Sequence, residues 1–199
     1  MHPSHALKLL LRRLRRIEDP RILDLGPAEG VNLEFFTGRG FRVSVENFVE
    51  AIPEPTASKY PACVSRPAVP REPLRMLASR RPEEEPFDAI FCWDLLDLLG
   101  VEAARDLVLE LRSRLRHSGL VWALFDSSRR EAPAALRRFR ILGEESLEHQ
   151  HIPERPVTRF LHQNRDIIRM FDGFEVLSST FLRVGVREML FARAVATAV

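Results

Sequence analysis

The chain is poor in cysteine and contains no long hydrophobic run. Its two cysteines, Cys63 and Cys92, have neither the paired spacing of a disulfide framework nor that of a metal site. Cys92 lies in an apolar stretch, where a structural thiol in a reducing compartment is the usual role, so we expect a cytoplasmic location. No apolar segment approaches the ~20 residues of a membrane span, and no signal peptide is recognisable.

Lysine is also scarce, and neither sign of charge dominates. Lysine occurs only at Lys8 and Lys59, so nearly all positive charge is arginine, a bias that fits a GC-rich genome at least as well as a binding role. The formal net charge of +2 argues against binding of nucleic acid through overall charge. With 199 residues and 45% hydrophobic content, we expect one globular domain spanning residues 1–199.

Two common phosphate-binding motifs are missing as well. The chain has no G-x-G-x-x-G turn after a strand and no Gly-Lys-Ser/Thr phosphate loop. What it has is ILDLGPAEGVNLEFF at residues 22–36, followed by FRVSVEN at residues 41–47. An apolar run ends in Asp24, a turn bracketed by Gly26 and Gly30 leads into a helical pattern, and a second apolar run ends in Glu46.

This order of strand, glycine turn, helix, strand and carboxylate is typical of a nucleotide-type site at the carboxyl edge of a parallel sheet. Glycines let the backbone approach a ligand, and the helix N-terminus offers free N–H groups. A carboxylate closing the second strand can accept hydrogen bonds from ribose hydroxyls. The acid that ends the first strand suits a cationic ligand better than a diphosphate, because like charges repel at close range.

The turn D-x-G-x-x-x-G resembles the first motif of class I S-adenosylmethionine-dependent methyltransferases, whose usual form is D-x-G-x-G-x-G. Ala28 stands where that family usually has its middle glycine. The resemblance implies S-adenosyl-L-methionine as cofactor, with the turn facing its aminoacyl part and Glu46 holding its ribose. The cofactor-binding residues that it implies are Asp24, Gly26, Pro27, Ala28, Gly30, Glu46, Cys92 and Trp93.

The resemblance extends in the right order from Arg21 to Ala194. Within residues 87–99, FDAIFCWDLLDLL, residues 87–92 predict a buried fourth strand that leads into Trp93, Asp94 and another apolar stretch. Residues 101–116 predict a helix, and residues 120–125 a fifth strand. Residues 164–194 predict a short helix and a closing hairpin. The implied fold is α/β: a three-layer Rossmann-like methyltransferase sheet of seven strands, mostly parallel, with an antiparallel last strand.

The chemistry of methyl transfer asks little of the protein beyond alignment and desolvation, and it needs a general base only if the acceptor must lose a proton. Asp94 is a candidate for orienting the acceptor or contacting the cofactor amine, and Trp93 for facing the sulfonium. A helix N-cap and core packing are equally good interpretations of these two residues. No Asn/Asp-Pro-Pro-Tyr/Phe motif follows the fourth strand, so a planar base amino group is not the expected acceptor.

Residues 1–18 and 53–86 flank this motif region. Residues 5–17 predict an amphipathic helix with leucines on one face, which we interpret as a cap on the sheet, ahead of a membrane-surface or nucleic-acid role. Residues 53–86 hold eight of the 14 prolines and several arginines, which predicts an irregular segment. Only residues 62–65 in it could form a third strand, and no acid for the adenine amino group follows them.

Residues 129–163 follow the fifth strand, so we expect them either to cover the acceptor side of the site or to form a solvated surface segment. They contain an arginine-rich piece predicted to be helical, and then His149 and His151, the candidates for a base on such a cover. No cysteine or carboxylate pattern beside these histidines completes a metal site.

Two functions therefore remain open. The intact Asp24, Gly26, Gly30 and Glu46 favour an active S-adenosylmethionine-dependent methyltransferase, which is our preferred reading, acting on a small-molecule or protein acceptor. Ala28 and the missing third-strand acid favour a methyltransferase-fold protein that has lost activity and serves as a binding or scaffold subunit.

Overall fold

The computed structural model describes residues 2–52, 85–127, 134–182 and 185–194. The helices in these ranges are α1 (His5–Leu14), α2 (Gly30–Thr37), α3 (Val101–Arg114) and α4 (Asn164–Met170). The strands are β1 (His2–Pro3), β2 (Arg21–Asp24), β3 (Arg42–Val45), β4 (Phe87–Trp93), β5 (Leu115–Asp126), β6 (Ala134–Gly143), β7 (Ser146–Val157), β8 (Phe174–Leu182) and β9 (Val186–Arg193). Short 3-10 turns occupy Phe48–Ala51 and Leu95–Leu98.

The main sheet has six strands in the order β3-β2-β4-β5-β9-β8. The first four are parallel, with Leu23 opposite Ile90 and Ile90 opposite Val121, whereas β9 runs antiparallel to both β5 and β8. This confirms the predicted mostly parallel sheet with an antiparallel last strand. The seventh strand was expected at residues 62–65, which lie outside the described residues.

The central strands are covered on both faces, which explains their continuous apolar sequences. All seven residues of β4 are buried, as a parallel strand between two helical layers requires. Phe91 and Trp122 pack with residues of α1 and α2 on one face. Ile90 and Val121 pack with residues of α3 and α4 on the other. The predicted three layers of helix, sheet and helix are therefore present.

Helix α1 packs its apolar face against the sheet. Its leucines Leu7, Leu10, Leu11 and Leu14 are at most 1% exposed, and the helix contacts β5, β8 and β9. Buried Glu188 of β9 joins the start of this helix to the sheet centre, because it accepts hydrogen bonds from the Ser4 hydroxyl, the Ala6 N–H and the Trp122 indole. The apolar stripe of α1 is thus part of the core.

The helical prediction within residues 129–163 is wrong, because residues 134–157 form a β-hairpin. Strands β6 and β7 pair antiparallel, with Phe139 opposite His149, and β1 adds to their free edge. The helix propensity of the arginine run is only a fraction of a kcal/mol per residue. Strand pairing and burial of Leu136, Phe139 and Ile141 against the domain outweigh it.

No helix in the described ranges is long and apolar enough to cross a membrane.

Candidate functional site

The carboxyl end of β2 carries a buried carboxylate. Asp24 is 2% exposed, and its Oδ1 accepts hydrogen bonds from the Gly26 N–H at 2.9 Å and from the Trp93 indole N–H at 2.5 Å. Burial raises the pKa of Asp24 to about 6, against the opposing effect of these two donors. At neutral pH the group is therefore mostly ionised, and its negative charge lies directly beneath the glycine turn.

The second carboxylate of the predicted motif lies beside the first. Glu46 follows β3 and is half-buried, and its N–H donates to the carbonyl of Asp24 at 2.8 Å. Because β2 and β3 are parallel neighbours, their ends bring both acids to the same edge of the sheet. The sequence pattern that located this edge was two successive apolar runs, each ending in an acid.

The two glycines of the motif have different surroundings. A Cβ built on Gly26 would lie 2.6 Å from Cδ1 of Trp93, so no larger residue fits there without displacing the indole. A Cβ on Gly30 would meet no atom within 4 Å. Between them Pro27 is half-buried and Ala28 is exposed. In this conformation the turn needs a glycine only at its first position.

Trp93 fills the space above the turn. It ends β4 in the left-handed region with φ +49°, a conformation that costs a non-glycine residue about 1–3 kcal/mol and is most frequent at functional sites. Its indole stacks on Phe139 of β6, with centroids 5.7 Å apart and planes 12° from parallel. The cavity left between the turn and the hairpin measures about 10 Å³, room for about one water molecule.

The β6–β7 hairpin is fastened to this edge by specific polar contacts. Asn32 of α2 donates to the Phe139 carbonyl at 3.0 Å and accepts from the Ile141 N–H at 2.8 Å. Glu29, at the start of the same helix, pairs with Arg138 at 2.6 Å and Arg140 at 3.4 Å. The arginine run predicted as a helix thus holds a strand against the start of α2.

A cluster of buried charges lies next to Trp93 at the same edge. Asp94 follows β4 and pairs with Arg159 at 2.7 Å, with both side chains at most 5% exposed. Asp126 ends β5 and pairs with Arg137. Fully buried Asp97 accepts from the Asp126 N–H at 2.5 Å, and burial raises the pKa of its carboxyl well above the usual range.

Sequence reasoning found Asp94 in this cluster and missed the other members. Asp126 follows a predicted strand, so the rule that located Asp24 and Glu46 would have included it. Asp97 had a weaker signal, an acid inside an otherwise apolar run. Arg137 and Arg159 gave no signal, because arginine is abundant along the whole segment and nothing local distinguishes buried members from exposed ones.

Of the remaining predicted residues, Cys92 lines the small cavity beside Gly26, whereas the two histidines lie outside that cavity. His149 faces Phe139, at 6.0 Å between ring centroids, and stacks on His2 at 5.2 Å; burial lowers its pKa. His151 is exposed. Cys92 is fully buried, which raises the pKa of its thiol, and it packs in the cluster of α3 and α4. No group of metal-ligating side chains occurs among the described residues.

Comparison with known proteins identifies the fold. The PH0226 protein of Pyrococcus horikoshii is similar at TM-score 0.54 and 15% identity, over 94% of this chain and 88% of its own. The 1,6-didemethyltoxoflavin-N1-methyltransferase of Burkholderia thailandensis, solved with S-adenosylhomocysteine, gives 0.52 and 14%, over 96% and 80%. Magnesium protoporphyrin IX methyltransferase of Synechocystis, solved with S-adenosylmethionine, gives 0.50 and 11%, over 94% and 76%.

No protein-family model matches the chain, and neither does any curated protein sequence. At these identities the structural likeness shows the fold: the chain has the Rossmann-like fold of class I S-adenosylmethionine-dependent methyltransferases.

Proposed function

We propose that this protein is an S-adenosylmethionine-dependent methyltransferase whose cofactor binds across the ends of β2 and β3. The observation that carries the proposal is that Asp24 and Glu46 lie side by side at the ends of two adjacent strands, joined through their backbones, with the glycine turn between them in the sequence. When bound, S-adenosylmethionine supplies an electrophilic methyl group. Its chemistry suits the donor set, since Asp24 places a negative charge by the turn and Glu46 offers acceptors for a ribose diol.

The other residues of the edge have roles that follow from their positions. Gly26 allows the backbone to approach a ligand, Pro27 and Ala28 shape the turn, and Gly30 starts α2 with free N–H groups. Trp93 offers an aromatic face to a cation. Asp94 is the acid best placed to orient an acceptor, because it follows Trp93 directly, although Arg159 holds it in this conformation.

This conformation does not leave enough space for the cofactor beside the glycine turn. Sites for ligands of this size measure roughly 300–1,000 Å³, whereas the cavity beside Gly26 measures about 10 Å³. Trp93 and Phe139 occupy the volume in question. We therefore propose that the β6–β7 hairpin is the substrate-side cover within residues 129–163, and that it moves away from Gly26 when the cofactor enters.

Calorimetric titration with S-adenosylmethionine tests the assignment. Glu46→Gln should weaken binding about ten- to a hundredfold, the effect of losing a charge-assisted hydrogen bond. Glu50→Gln, a change of the same kind at an exposed neighbouring position, serves as the matched control and should bind like the parent. Equal binding by parent and Glu46→Gln would show that the ribose lies elsewhere.

Hydrogen exchange with and without S-adenosylhomocysteine tests the cover. We expect protection to change both at residues 24–46 and along β6 and β7. A change confined to residues 24–46 would make the hairpin a fixed surface feature and would remove His149 and His151 as candidate bases.

A second function, a binding or scaffold subunit without activity, is favoured by one observation. Trp93 lies against Gly26 and stacks on Phe139, so these two side chains occupy the space where a ligand would otherwise lie. If the turn stays closed in this way, neither cofactor form should give heat on titration. A parent that binds S-adenosylmethionine micromolar or tighter would show that the turn opens, and transfer of the methyl group to an acceptor would rule out a subunit without activity.

A further inference from the structure

An open, positively charged groove lies at the amino ends of the strands of the main sheet, which we call its amino edge, opposite the carboxyl edge that carries the glycine turn. It measures about 570 Å³ and lies where the amino-terminal parts of β4 and β5 meet the C-terminal end of α1. Its lining combines five basic side chains, one acid and a few small or apolar residues. These are Arg12, Arg13, Arg16, Ile17, Asp88, Arg116, His117, Ser118, Gly119 and Leu120.

The charge of the groove is largely uncompensated. Asp88 is buried, and both of its oxygens are engaged, one by the Arg21 N–H at 2.9 Å and the other by Arg116 at 3.4 Å. Among the described residues, no ion pair joins Arg12, Arg13 or Arg16 to a carboxylate. Three exposed guanidinium groups therefore face one concave space with nothing in the described chain to neutralise them.

This arrangement differs from that of neighbouring arginines. Arg15, which directly follows α1, pairs with Glu144, and Arg42 of β3 pairs with Asp19 at 2.9 Å. Like charges at this proximity repel one another, so an anion in the groove would relieve the repulsion and gain charge-assisted hydrogen bonds. Guanidinium groups suit phosphate oxygens in particular, because their planar fork can donate two parallel bonds.

We propose that this groove binds a small organic polyphosphate, a molecule with two or more phosphate groups and an organic part. The volume lies within the range of small-molecule sites, roughly 300–1,000 Å³. Half-buried Ile17 provides apolar contact for the organic part. A membrane surface fits less well, because the leucines of α1 are in the core and leave no apolar face to insert.

The proposal does not depend on the methyltransferase assignment, because the groove and the cofactor turn lie at opposite edges of the sheet. Its test uses inorganic tripolyphosphate and ATP as probes, titrated by calorimetry at about 100 mM salt. The groove variant is Arg12→Gln/Arg13→Gln/Arg16→Gln. The matched control, Arg105→Gln/Arg165→Gln/Arg169→Gln, removes the same charge from exposed positions on α3 and α4, in the other helical layer.

We expect the parent and the control variant to bind both probes within about twofold of each other, and the groove variant to bind about tenfold more weakly or worse. ATP should bind more tightly than tripolyphosphate, because Ile17 contacts its organic part, and ATP binding no tighter than tripolyphosphate would overturn the requirement for an organic part. Equal affinities for all three proteins would overturn the proposal, since the interaction would then follow net charge alone. It would also be overturned if the parent bound neither probe, or bound only a DNA duplex or anionic vesicles.

Discussion

The two edges of the main sheet use arginine in opposite ways. At the carboxyl edge, Arg159 and Arg137 are buried against Asp94 and Asp126, and they hold the chain's own hairpin over the glycine turn. At the amino edge, exposed arginines of α1 face an open groove without carboxylate partners in the described chain. The same residue type therefore closes one edge of the molecule and leaves the other ready for an anion.

The direction of the parallel strands explains why the two edges differ. Acids that follow parallel strands gather at the carboxyl ends, where Asp24, Glu46, Asp94 and Asp126 all lie. The arginines near these acids have carboxylate partners, and the side chains of Arg137 and Arg159 are also buried. At the amino ends, Asp88 is the one acid that lines the groove, so the arginines of α1 remain exposed.

We call the carboxyl edge, which the hairpin covers, the closed edge, and the amino edge the open edge. Removing the buried Arg159–Asp94 ion pair of the closed edge should have the largest effect on the free energy of unfolding. Arg159→Ala leaves Asp94 buried without its cation, which typically costs about 3–5 kcal/mol in the free energy of unfolding. Arg165→Ala is the matched control, because it removes an exposed ion pair with Asp166, and should cost less than about 1 kcal/mol. Urea denaturation measures both. A loss near that of the control would mean that Asp94 is solvated and the edge is open.

The buried carboxylate beneath the turn should make the closed edge sensitive to pH. Because burial raises the pKa of Asp24 from 3.8 to about 6, the folded state binds its proton more tightly than the unfolded state does. Its contribution to stability is complete below pH 3.8 and is lost as pH rises through about 6. The ionisation thus costs up to about 3 kcal/mol at neutral pH.

Asp24→Asn keeps an acceptor for the Gly26 and Trp93 donors and removes that ionisation. We expect the variant to match the parent near pH 4 and to exceed its stability above pH 6, while losing affinity for S-adenosylmethionine. Denaturation at both pH values, with a cofactor titration alongside, measures the two effects. A variant less stable than the parent at pH 7.5 would contradict the assigned pKa direction.

Asn32 offers a milder way to loosen the hairpin. Its amide makes two hydrogen bonds to the backbone of β6, and Asn32→Ala leaves those groups buried without partners, at a cost of about 1–3 kcal/mol. Asn164→Ala, which removes one exposed contact with Arg187, is the control and should change little. Faster amide exchange at Ile141, with no change in α1, would show that the effect is confined to the closed edge.

Much of this architecture could be predicted from local sequence. The buried runs of β2, β4 and β5 and the apolar stripe of α1 each encode their own element, because period and burial decide it. The turn of Asp24 and Gly26 located the carboxyl edge for the same reason. The hairpin could not be predicted in this way, since its strand state depends on Asn32 and Glu29, over 100 residues away in the chain.

The content of the site was harder to predict than its place. That Trp93 would lie on Gly26 required knowing which way a side chain at the end of β4 turns, and its positive φ sets that direction. Likewise, no local pattern separates buried Arg159 from exposed Arg12. The difference lies in the acids that the fold brings near each of them.

Removing the charges of the open edge should have the smallest effect on stability. Arg12→Gln/Arg13→Gln/Arg16→Gln loses a favourable interaction with the C-terminal end of α1 and gains relief from mutual repulsion, so we expect a net change within about 0.5 kcal/mol. Salt screens both contributions, so the difference in stability between parent and variant should become smaller still at high ionic strength. A loss above about 1 kcal/mol would mean that these arginines already have partners, and the contrast between a closed and an open edge would fail.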